Sequence, residues 1–194
     1  MAVMSSSAIW SLPLGILAAV VFLRGGFRAR AFVVVLLLAF VVSDAVVGSS
    51  IKKAVGRLRP CQSEFGVRQI ELTRPLWKGI VEPVREEISL GTGHGGNGRS
   101  FPSNHASNTA AAALVTAIFY RRRGWLAFLP ALAVAYSRVY TGSHWPSDVL
   151  AGICLGMGVA FSVLVLAELL WRWFGPRVVP RWAAHRPSLL SFTA

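Results

Sequence analysis

Long apolar runs separated by short polar connections dominate the chain. Each run has about the length of helix, roughly 20 residues, that crosses the hydrocarbon core of a bilayer. The pattern therefore predicts an all-α fold: a polytopic membrane helix bundle with about five transmembrane helices and one long extramembrane segment. The predicted spans cover residues 5–23, 31–51, 104–120, 124–142 and 147–174.

One stretch interrupts the apolar pattern. Residues 52–103 are rich in proline, glycine and charged side chains, so the chain has room there for an extramembrane element. We expect one integral-membrane domain over residues 1–194, with the 52–103 segment beside the functional site. Within that segment, residues 62–99 are expected to form a wall or lid, whose fold the pattern does not specify.

Composition agrees with a membrane protein. Hydrophobic residues make up 54% of the chain and charged residues 14%, and the mean hydropathy is +0.56, which excludes an ordinary soluble domain. The formal net charge is +12, but the basic residues lie between apolar runs. Membrane lipids and a phosphorylated substrate are therefore the expected partners, not nucleic acid. Cys61 and Cys154 have no spacing typical of a disulfide framework or a zinc site.

Basic residues predict the orientation of the spans, because cytoplasmic loops near the membrane collect lysine and arginine. One predicted face of the bundle holds many arginines opposed by a single acid, Glu168, and we assign it to the cytoplasm. The 52–103 segment mixes basic and acidic residues on the other face, which is predicted to be outside. The arginines of the cytoplasmic face are Arg24, Arg28, Arg30, Arg121, Arg122, Arg123, Arg172, Arg177, Arg181 and Arg186.

Polar residues from three segments are predicted to meet at the outer membrane face. Predicted spans two and four end there, and spans three and five begin there. Charged groups and imidazoles at membrane depth are costly unless they have a function. The residues are Lys52 and Arg59, Ser103 and His105, and Ser137, Arg138, His144 and Asp148.

These residue types indicate phosphoryl transfer. Lysine and arginine can surround a phosphate, and arginine offers a planar fork to two of its oxygens. The two histidines can supply a nucleophile and a proton donor. Because the cations neutralise the charge of the transition state, no metal or other cofactor is expected.

Local sequence around the polar residues adds three expectations. Ser103 follows a proline and precedes an alanine-rich helix, so we predict that it is an N-cap, where free backbone N–H groups bind anions. Pro146 predicts the start of the fifth span. Asp148, one turn into that helix, is expected to hold one ring nitrogen of His144 and leave the other facing phosphorus.

In order and spacing, these residues resemble the three-part signature of the type 2 phosphatidic acid phosphatase superfamily. The resemblance implies a membrane lipid phosphatase in which His144 is the nucleophile that forms a phosphohistidine, Asp148 orients it and His105 is the general acid. It implies phosphate binding by Lys52, Arg59, Ser103 and Arg138, with Asn104 in the same motif. The first matching part is Lys52 followed, after six residues, by Arg59-Pro60, and the second is Pro102-Ser103-Asn104-His105. The third is Ser137-Arg138, followed after five residues by His144 and after three more by Asp148.

The chain departs from the family pattern in two ways. Asn104 stands where the second motif usually has glycine. Many bacterial relatives resemble this variant, so we expect the protein to be active. Membrane members commonly have six spans, whereas five are predicted here, which would place the N-terminus outside. The resemblance implies a location in the bacterial inner (plasma) membrane.

Other polar or small residues have simpler interpretations. Lys53 and Arg57 fall off the signature, and contact with lipid headgroups is the favoured role for both. Asp44, inside the second span, is expected to bind a serine or the backbone of a neighbouring span. Gly152 and Gly156 are expected to allow close helix packing within the monomer.

The predicted function is that of a lipid phosphate or diphosphate phosphatase, with undecaprenyl diphosphate favoured as substrate. Phosphatidylglycerophosphate, phosphatidate and a lipid A phosphate are the alternatives. A lipid phosphotransferase needs the same residues up to its second step, so the sequence does not separate it from a phosphatase. A small anion channel or transporter is the alternative from another class, but it has no need of a His–Asp pair beside a second histidine. The oligomeric state is not specified.

Overall fold

The structure is a computed structural model that describes residues 7–71, 85–91 and 99–190. Helices make up most of it, and a small two-stranded sheet accompanies them. The elements are α1 (Ser7–Arg24), α2 (Phe27–Ser43), a π-helical segment (Asp44–Ile51), α3 (Lys52–Val55), α4 (Pro60–Ser63), β1 (Phe65–Glu71), β2 (Arg85–Leu90), α5 (Asn104–Gly124), a 3₁₀ turn (Trp125–Ala127), α6 (Phe128–Tyr140), α7 (Pro146–Val178) and α8 (Pro180–His185).

Two predicted helix starts are confirmed. Pro146 occupies the first turn of α7, where its missing N–H costs no hydrogen bond and its fixed φ suits the helix. Ser103 is the N-cap of α5, with the extended backbone that the position requires (φ −78°, ψ 112°). Both starts lie at the same end of the bundle, because α5 and α7 pack side by side with Ser103 N donating to the Asp148 carbonyl at 3.0 Å.

The core lies where α2, α5 and α7 pack together. Its fully buried residues come from all three helices and include Val35 from α2, Val115 and Phe119 from α5, and Ala160 from α7. Gly152 allows the close approach of α7 to α5, because a Cβ there would lie 2.6 Å from the Ser103 carbonyl oxygen. The prediction that this glycine serves packing within the monomer is confirmed.

The 52–103 segment contains the exception to the predicted all-α fold. Strands β1 and β2 pair antiparallel, with Phe65 opposite Leu90 and Arg68 opposite Ile88. The short alternation of apolar and polar residues in FGVRQIE suits a strand rather than a helix, so the all-α prediction is wrong for this part of the chain. Residues 72–84 and 92–98, which belong to the predicted lid, lie outside the described residues.

The hairpin is docked on the connection between α6 and α7. Ile70 N donates to the Thr141 carbonyl at 3.3 Å, and Cys61 N donates to the Gly142 carbonyl at 3.2 Å. Gly142 has a left-handed φ of +66°, and a Cβ on it would lie 2.6 Å from the Arg68 carbonyl oxygen. Glycine is needed here on both counts, and the contact holds the hairpin beside the polar end of the bundle.

The outer surface of the helices is apolar. Leu12, Leu23, Val41, Leu150 and Val178, for example, are each exposed by more than 60%, a pattern that a soluble surface avoids over large areas. By length and apolar composition, one helix of the described chain, α7, is long enough to cross a membrane. Helix α2 leads directly into the π-helical segment and is itself 17 residues long. The arrangement with five spans therefore stays a prediction.

Candidate active site

The polar residues predicted from the sequence come together at the end of the bundle where α5 and α7 begin. Helix α3 and the turn after it carry Lys52 and Arg59, and the C-terminal turn of α6 carries Arg138. We call these three residues the cation cluster. His105 lies in the first turn of α5, and His144 and Asp148 flank the start of α7.

Ser103 presents a free hydroxyl to this end of the bundle. Its side chain is fully buried, and it does not cap its own helix. Among the described residues, its Oγ has no hydrogen-bond partner. A buried polar atom without a partner is costly, so the hydroxyl is placed to bind a ligand oxygen.

The loop before α7 fixes His144 over the end of α6. The backbone N–H groups of Ser143 and His144 both donate to the Arg138 carbonyl, each at 3.2 Å. The imidazole is 4% exposed. His144 and Arg138 are therefore held next to each other by the backbone, independently of any ligand.

Electrostatics connect His144 with the cation cluster. Burial is the largest cause of a lowered pKa at His144, which falls from 6.5 to about 3, and Arg59, Arg138 and Lys52 act in the same direction. Burial, followed by the charge of Arg59, also lowers the pKa of Lys52. His105 lies within electrostatic range of the same three cations. At neutral pH His144 is therefore an uncharged imidazole, the form that can act as a nucleophile.

Asp148 is fully buried but does not make the predicted hydrogen bond to His144. The distance from its Oδ2 to His144 Nδ1 is 3.7 Å, beyond hydrogen-bond range, and Nδ1 has no partner among the described residues. Oδ2 instead accepts from Ser100 Oγ and, at 3.0 Å, from the Trp145 N–H. This is a correction to the expected pair: in this structure the carboxylate lies beside the imidazole and is held by other groups.

Arg57 is the residue that sequence reasoning missed. Its Nη1 lies 2.9 Å from Asp148 Oδ1 and donates to Ser147 Oγ at 2.8 Å. The guanidinium also lies over the Trp145 ring, 5.1 Å from its centroid. The headgroup role favoured from the sequence stays a prediction for Arg57, and the ion pair with Asp148 is a contact that the sequence did not predict.

The side-chain amide of Asn104 is bound to a carboxylate on another helical segment. Its Nδ2 donates to Asp44 Oδ1 at 3.3 Å, and Asn108 Nδ2 donates to the same oxygen at 3.1 Å. Asp44 therefore has partners on α5, a neighbouring predicted span, but they are asparagine amides and not the expected serine or backbone groups. Phosphate binding by Asn104 stays a prediction, and in this structure its side-chain amide is engaged by the Asp44 carboxylate.

Comparison with known proteins agrees with this geometry. The sequence model of the PAP2 superfamily matches residues 28–174 of the chain. This range includes every residue of the signature. The chain belongs to the PAP2 superfamily, and the resemblance seen in the sequence is confirmed.

Several relatives are named as lipid phosphatases. The chain is 30% identical over 131 residues to a lipid A 4'-phosphatase of Bacteroides thetaiotaomicron, covering 66% of this chain and 50% of the relative. It is 30% identical over 135 residues to an undecaprenyl-diphosphatase of Sulfolobus acidocaldarius, covering 69% and 54%. A decaprenylphosphoryl-5-phosphoribose phosphatase of Mycobacterium tuberculosis is 45% identical over 67 residues, covering 33% and 35%.

The chain spans about half the length of the first two of these relatives. No solved structure matches it significantly. The comparisons therefore establish the family, while the site residues rest on the geometry described above.

Proposed function

We propose that this protein is an integral-membrane lipid phosphate or diphosphate phosphatase that works through a phosphohistidine. The observation that carries the proposal is the convergence of the cation cluster, the free Ser103 hydroxyl and an uncharged, buried His144 at one end of the bundle. Lysine and arginine that converge on one point favour a phosphate with two or more charges. A site that only binds an anion has no need of the neutral imidazole beside these cations.

In the first step His144 attacks phosphorus. Its Nδ1 faces Asp148, so Nε2 is the ring nitrogen that faces the cation cluster. A bond forms between Nε2 and phosphorus while the bond from phosphorus to the lipid oxygen breaks. His105, which is protonated once the negative phosphate offsets the cation cluster, donates its proton to that oxygen. The cation cluster and Ser103 Oγ stabilise the charge on the oxygens of the five-coordinate phosphorus.

In the second step water resolves the intermediate. His105, now neutral, accepts a proton as the water oxygen attacks phosphorus, the N–P bond breaks, and inorganic phosphate leaves. A second lipid in place of water would give phosphotransfer with the same residues. We propose hydrolysis because all three relatives described above are named as phosphatases.

Arg57 serves this mechanism as a positioning residue. The developing positive charge on His144 is stabilised by Asp148, and the rotamer of Asp148 is fixed by Arg57, Ser100 and the Trp145 N–H. A shift of the imidazole by 0.5–1 Å closes the present gap to the carboxylate. We expect this shift when the phosphate binds and Nδ1–H needs an acceptor.

The substrate we propose is an isoprenoid diphosphate such as undecaprenyl diphosphate. Support comes from the two relatives whose names specify polyprenyl substrates, whereas the lipid A 4'-phosphatase supports one of the alternatives. The hairpin docked at Thr141 and Gly142 provides a wall beside the site against which a headgroup can lie. The apolar surfaces of the adjoining helices can keep the lipid tail in the bilayer while the headgroup reaches the cations. Phosphatidylglycerophosphate, phosphatidate and lipid A phosphates are the other candidates.

A phosphate-release screen tests the function and the substrate together. Purified protein in detergent is given undecaprenyl diphosphate, phosphatidylglycerophosphate, phosphatidate and a lipid A phosphate at equal concentrations. We expect the isoprenoid diphosphate to give the highest kcat/KM, and acid-labile labelling of the protein by a substrate with radioactive phosphorus. Turnover without a labelled intermediate would contradict the proposed phosphohistidine intermediate. Absence of phosphate release from all of these lipids would contradict the proposed phosphatase activity.

The proposed orientation places the active site outside the cytoplasm, in the bacterial inner membrane. It is supported by the arginines of the turn between α1 and α2, of the end of α5 and of the C-terminal end of α7. The test replaces Cys61 and Cys154, introduces single cysteines at Gly95 or Gly26, and treats intact cells with an impermeant thiol reagent. Labelling at position 95 alone is expected, whereas labelling at position 26 alone would reverse the topology.

A further inference from the structure

The end of the bundle opposite the active site carries a surface pocket of about 440 Å³ between the α1–α2 turn and α8. Its basic lining comprises Arg30, Arg181, His185 and Arg186, and its aromatic lining comprises Phe27 and Trp182. Helix α7 runs from one end of the bundle to the other over 33 residues, a length of about 50 Å. The pocket therefore takes no part in the chemistry proposed for His144.

The walls of the pocket are fixed by packing. Glycine is required at Gly25, because a Cβ there would lie 2.5 Å from the Ala29 Cβ. Across the pocket, the Phe27 ring packs against Trp171 with centroids 4.9 Å apart, and Trp171 Nε1 donates to the Arg186 carbonyl at 2.8 Å. These contacts tie α8 to the α1–α2 turn, so the pocket is a product of the fold.

The pocket has a strong positive charge, and none of the described residues that line it is acidic. The acidic residue near this end of α7, Glu168, is already bound by Arg172 Nε at 2.6 Å and by the Leu189 N–H at 2.9 Å. Three guanidinium groups around one space repel each other, and an anion that bridges them removes the repulsion. Arginine forks match the paired oxygens of a phosphate.

The rim of the pocket indicates where such an anion comes from. Leu23, Trp173 and Trp182 are all more than half exposed at this end of the bundle. Tryptophan is enriched where a membrane meets water, so a phosphate held here has apolar surface beside it for acyl chains. We propose that the pocket binds a phosphate-bearing anion at the membrane face opposite the active site, supplied by the headgroup of an anionic phospholipid. Free inorganic phosphate shares this chemistry and is the other source.

Native mass spectrometry of the purified chain tests the pocket with phosphatidylglycerol and phosphatidylcholine as probes. Phosphatidylglycerol carries a phosphodiester and no terminal phosphate, so it is a poor mimic of the proposed substrates. The wild-type protein should retain one phosphatidylglycerol, with a preference over phosphatidylcholine of about tenfold or more. The Arg181→Gln/Arg186→Gln double variant should lose this preference. If free inorganic phosphate is the natural occupant, an excess of it should displace the lipid. If the lipid headgroup is the occupant, the lipid should stay bound.

The matched control is Arg122→Gln/Arg123→Gln, which removes the same charge from exposed positions outside the pocket. Equal loss of lipid in both double variants would overturn the proposal, because diffuse surface charge would then explain retention. Loss in an Arg59→Gln/Arg138→Gln variant alone would also overturn it, by placing the lipid in the active site. If the pocket double variant folds poorly, Arg181→Gln alone serves, since this exposed side chain makes no hydrogen bond among the described residues. Hydrolysis of a water-soluble aryl phosphate should be unchanged in every pocket variant.

Discussion

Both ends of the helix bundle are rich in arginine, and the two ends use it in different ways. At the active-site end, Arg57 pairs with a fully buried carboxylate, and Arg59 and Arg138 act on a buried imidazole. At the opposite end, Arg30 Nε donates to the Phe22 carbonyl at 3.0 Å, and the Arg186 guanidinium lies over the Phe27 ring. The first set organises ionisable groups, whereas the second binds backbone carbonyls and aromatic rings.

The difference comes from the way the chain reaches each end. The residues of the active-site end come from α3, α5, α6 and α7, and the backbone holds them at one point through bonds such as Ser103 N to the Asp148 carbonyl. Arg30 at the opposite end is close in sequence to the carbonyl it contacts, that of Phe22 in the last turn of α1, where cations interact favourably with the last carbonyls. Net charge therefore does not separate a catalytic end from a membrane-facing end, but convergence with a buried acid and an imidazole does.

The largest expected effect is on the imidazole itself. His144→Ala should lower kcat by more than about 10³-fold, because the residue is proposed to form the bond to phosphorus. The matched variant at the other end is His185→Ala, which removes an exposed imidazole and should leave kcat within a factor of about two. Phosphate release by detergent-purified protein gives both values. Comparable activity in the two variants would abolish the distinction between the ends.

His105→Ala should have an effect that depends on the leaving group. For a lipid monophosphate, loss of the proton donor should lower kcat by about 10²- to 10⁴-fold. For an activated aryl phosphate, whose leaving group needs no proton, the loss should be under about tenfold. The comparison requires kcat for both substrates in the same preparations. Equal losses would assign His105 a role in binding and not in proton transfer.

Arg57→Ala should lower kcat by about 10²-fold with little change in KM, because Asp148 loses one of the partners that fix its carboxylate for the developing charge on His144. Arg57→Lys should recover part of the loss, since it restores the charge without the fork. Lys53→Ala removes an exposed cation from the same stretch and is the control. A rise in KM at constant kcat would instead place Arg57 in direct contact with the substrate.

Much of the architecture could be predicted because the relevant signals are local. Pro146 and Ser103 mark helix starts through their own backbone preferences, and both lie where they were expected. The hairpin was missed because β1 is a single short alternating stretch inside a segment rich in proline and glycine. The π-helical segment Asp44–Ile51 was missed for another reason: a pattern of apolar residues does not distinguish i→i+5 from i→i+4 hydrogen bonding.

The site was predicted as a set of residues but not as a set of contacts. Spacing along the chain brought His144 and Asp148 within one helical turn, which holds in the structure. Arg57 and Asp148 are 91 positions apart, so nothing local to either residue indicates their ion pair. Asn104 was assigned to phosphate from its motif, whereas its amide is drawn to Asp44 on a neighbouring helical segment. Tertiary partners of this kind follow from packing, which a single sequence does not contain.

The smallest expected effect is a pH dependence of stability that distinguishes the two ends. In the unfolded chain a histidine gains a proton below about pH 6.5, whereas the lowered pKa of folded His144 is about 3. Between these values the unfolded state binds more protons, so stability rises with pH across this range and falls as the pH is lowered. For one histidine the slope is at most about 1.4 kcal/mol per pH unit. The contribution of the neutral, buried imidazole is fully present above pH 6.5.

Thermal unfolding in detergent between pH 7 and pH 4 checks this prediction. The wild-type midpoint should fall through this interval, and in His144→Asn it should fall less, because the group that resists protonation in the folded state is gone. Carboxylates titrate in both proteins, so the difference between the two curves is the informative quantity. His185→Asn at the opposite end should follow the wild-type curve. If His144→Asn instead follows the wild-type curve, His144 is not held neutral by burial and the cation cluster, and the proposed nucleophile loses its electrostatic support.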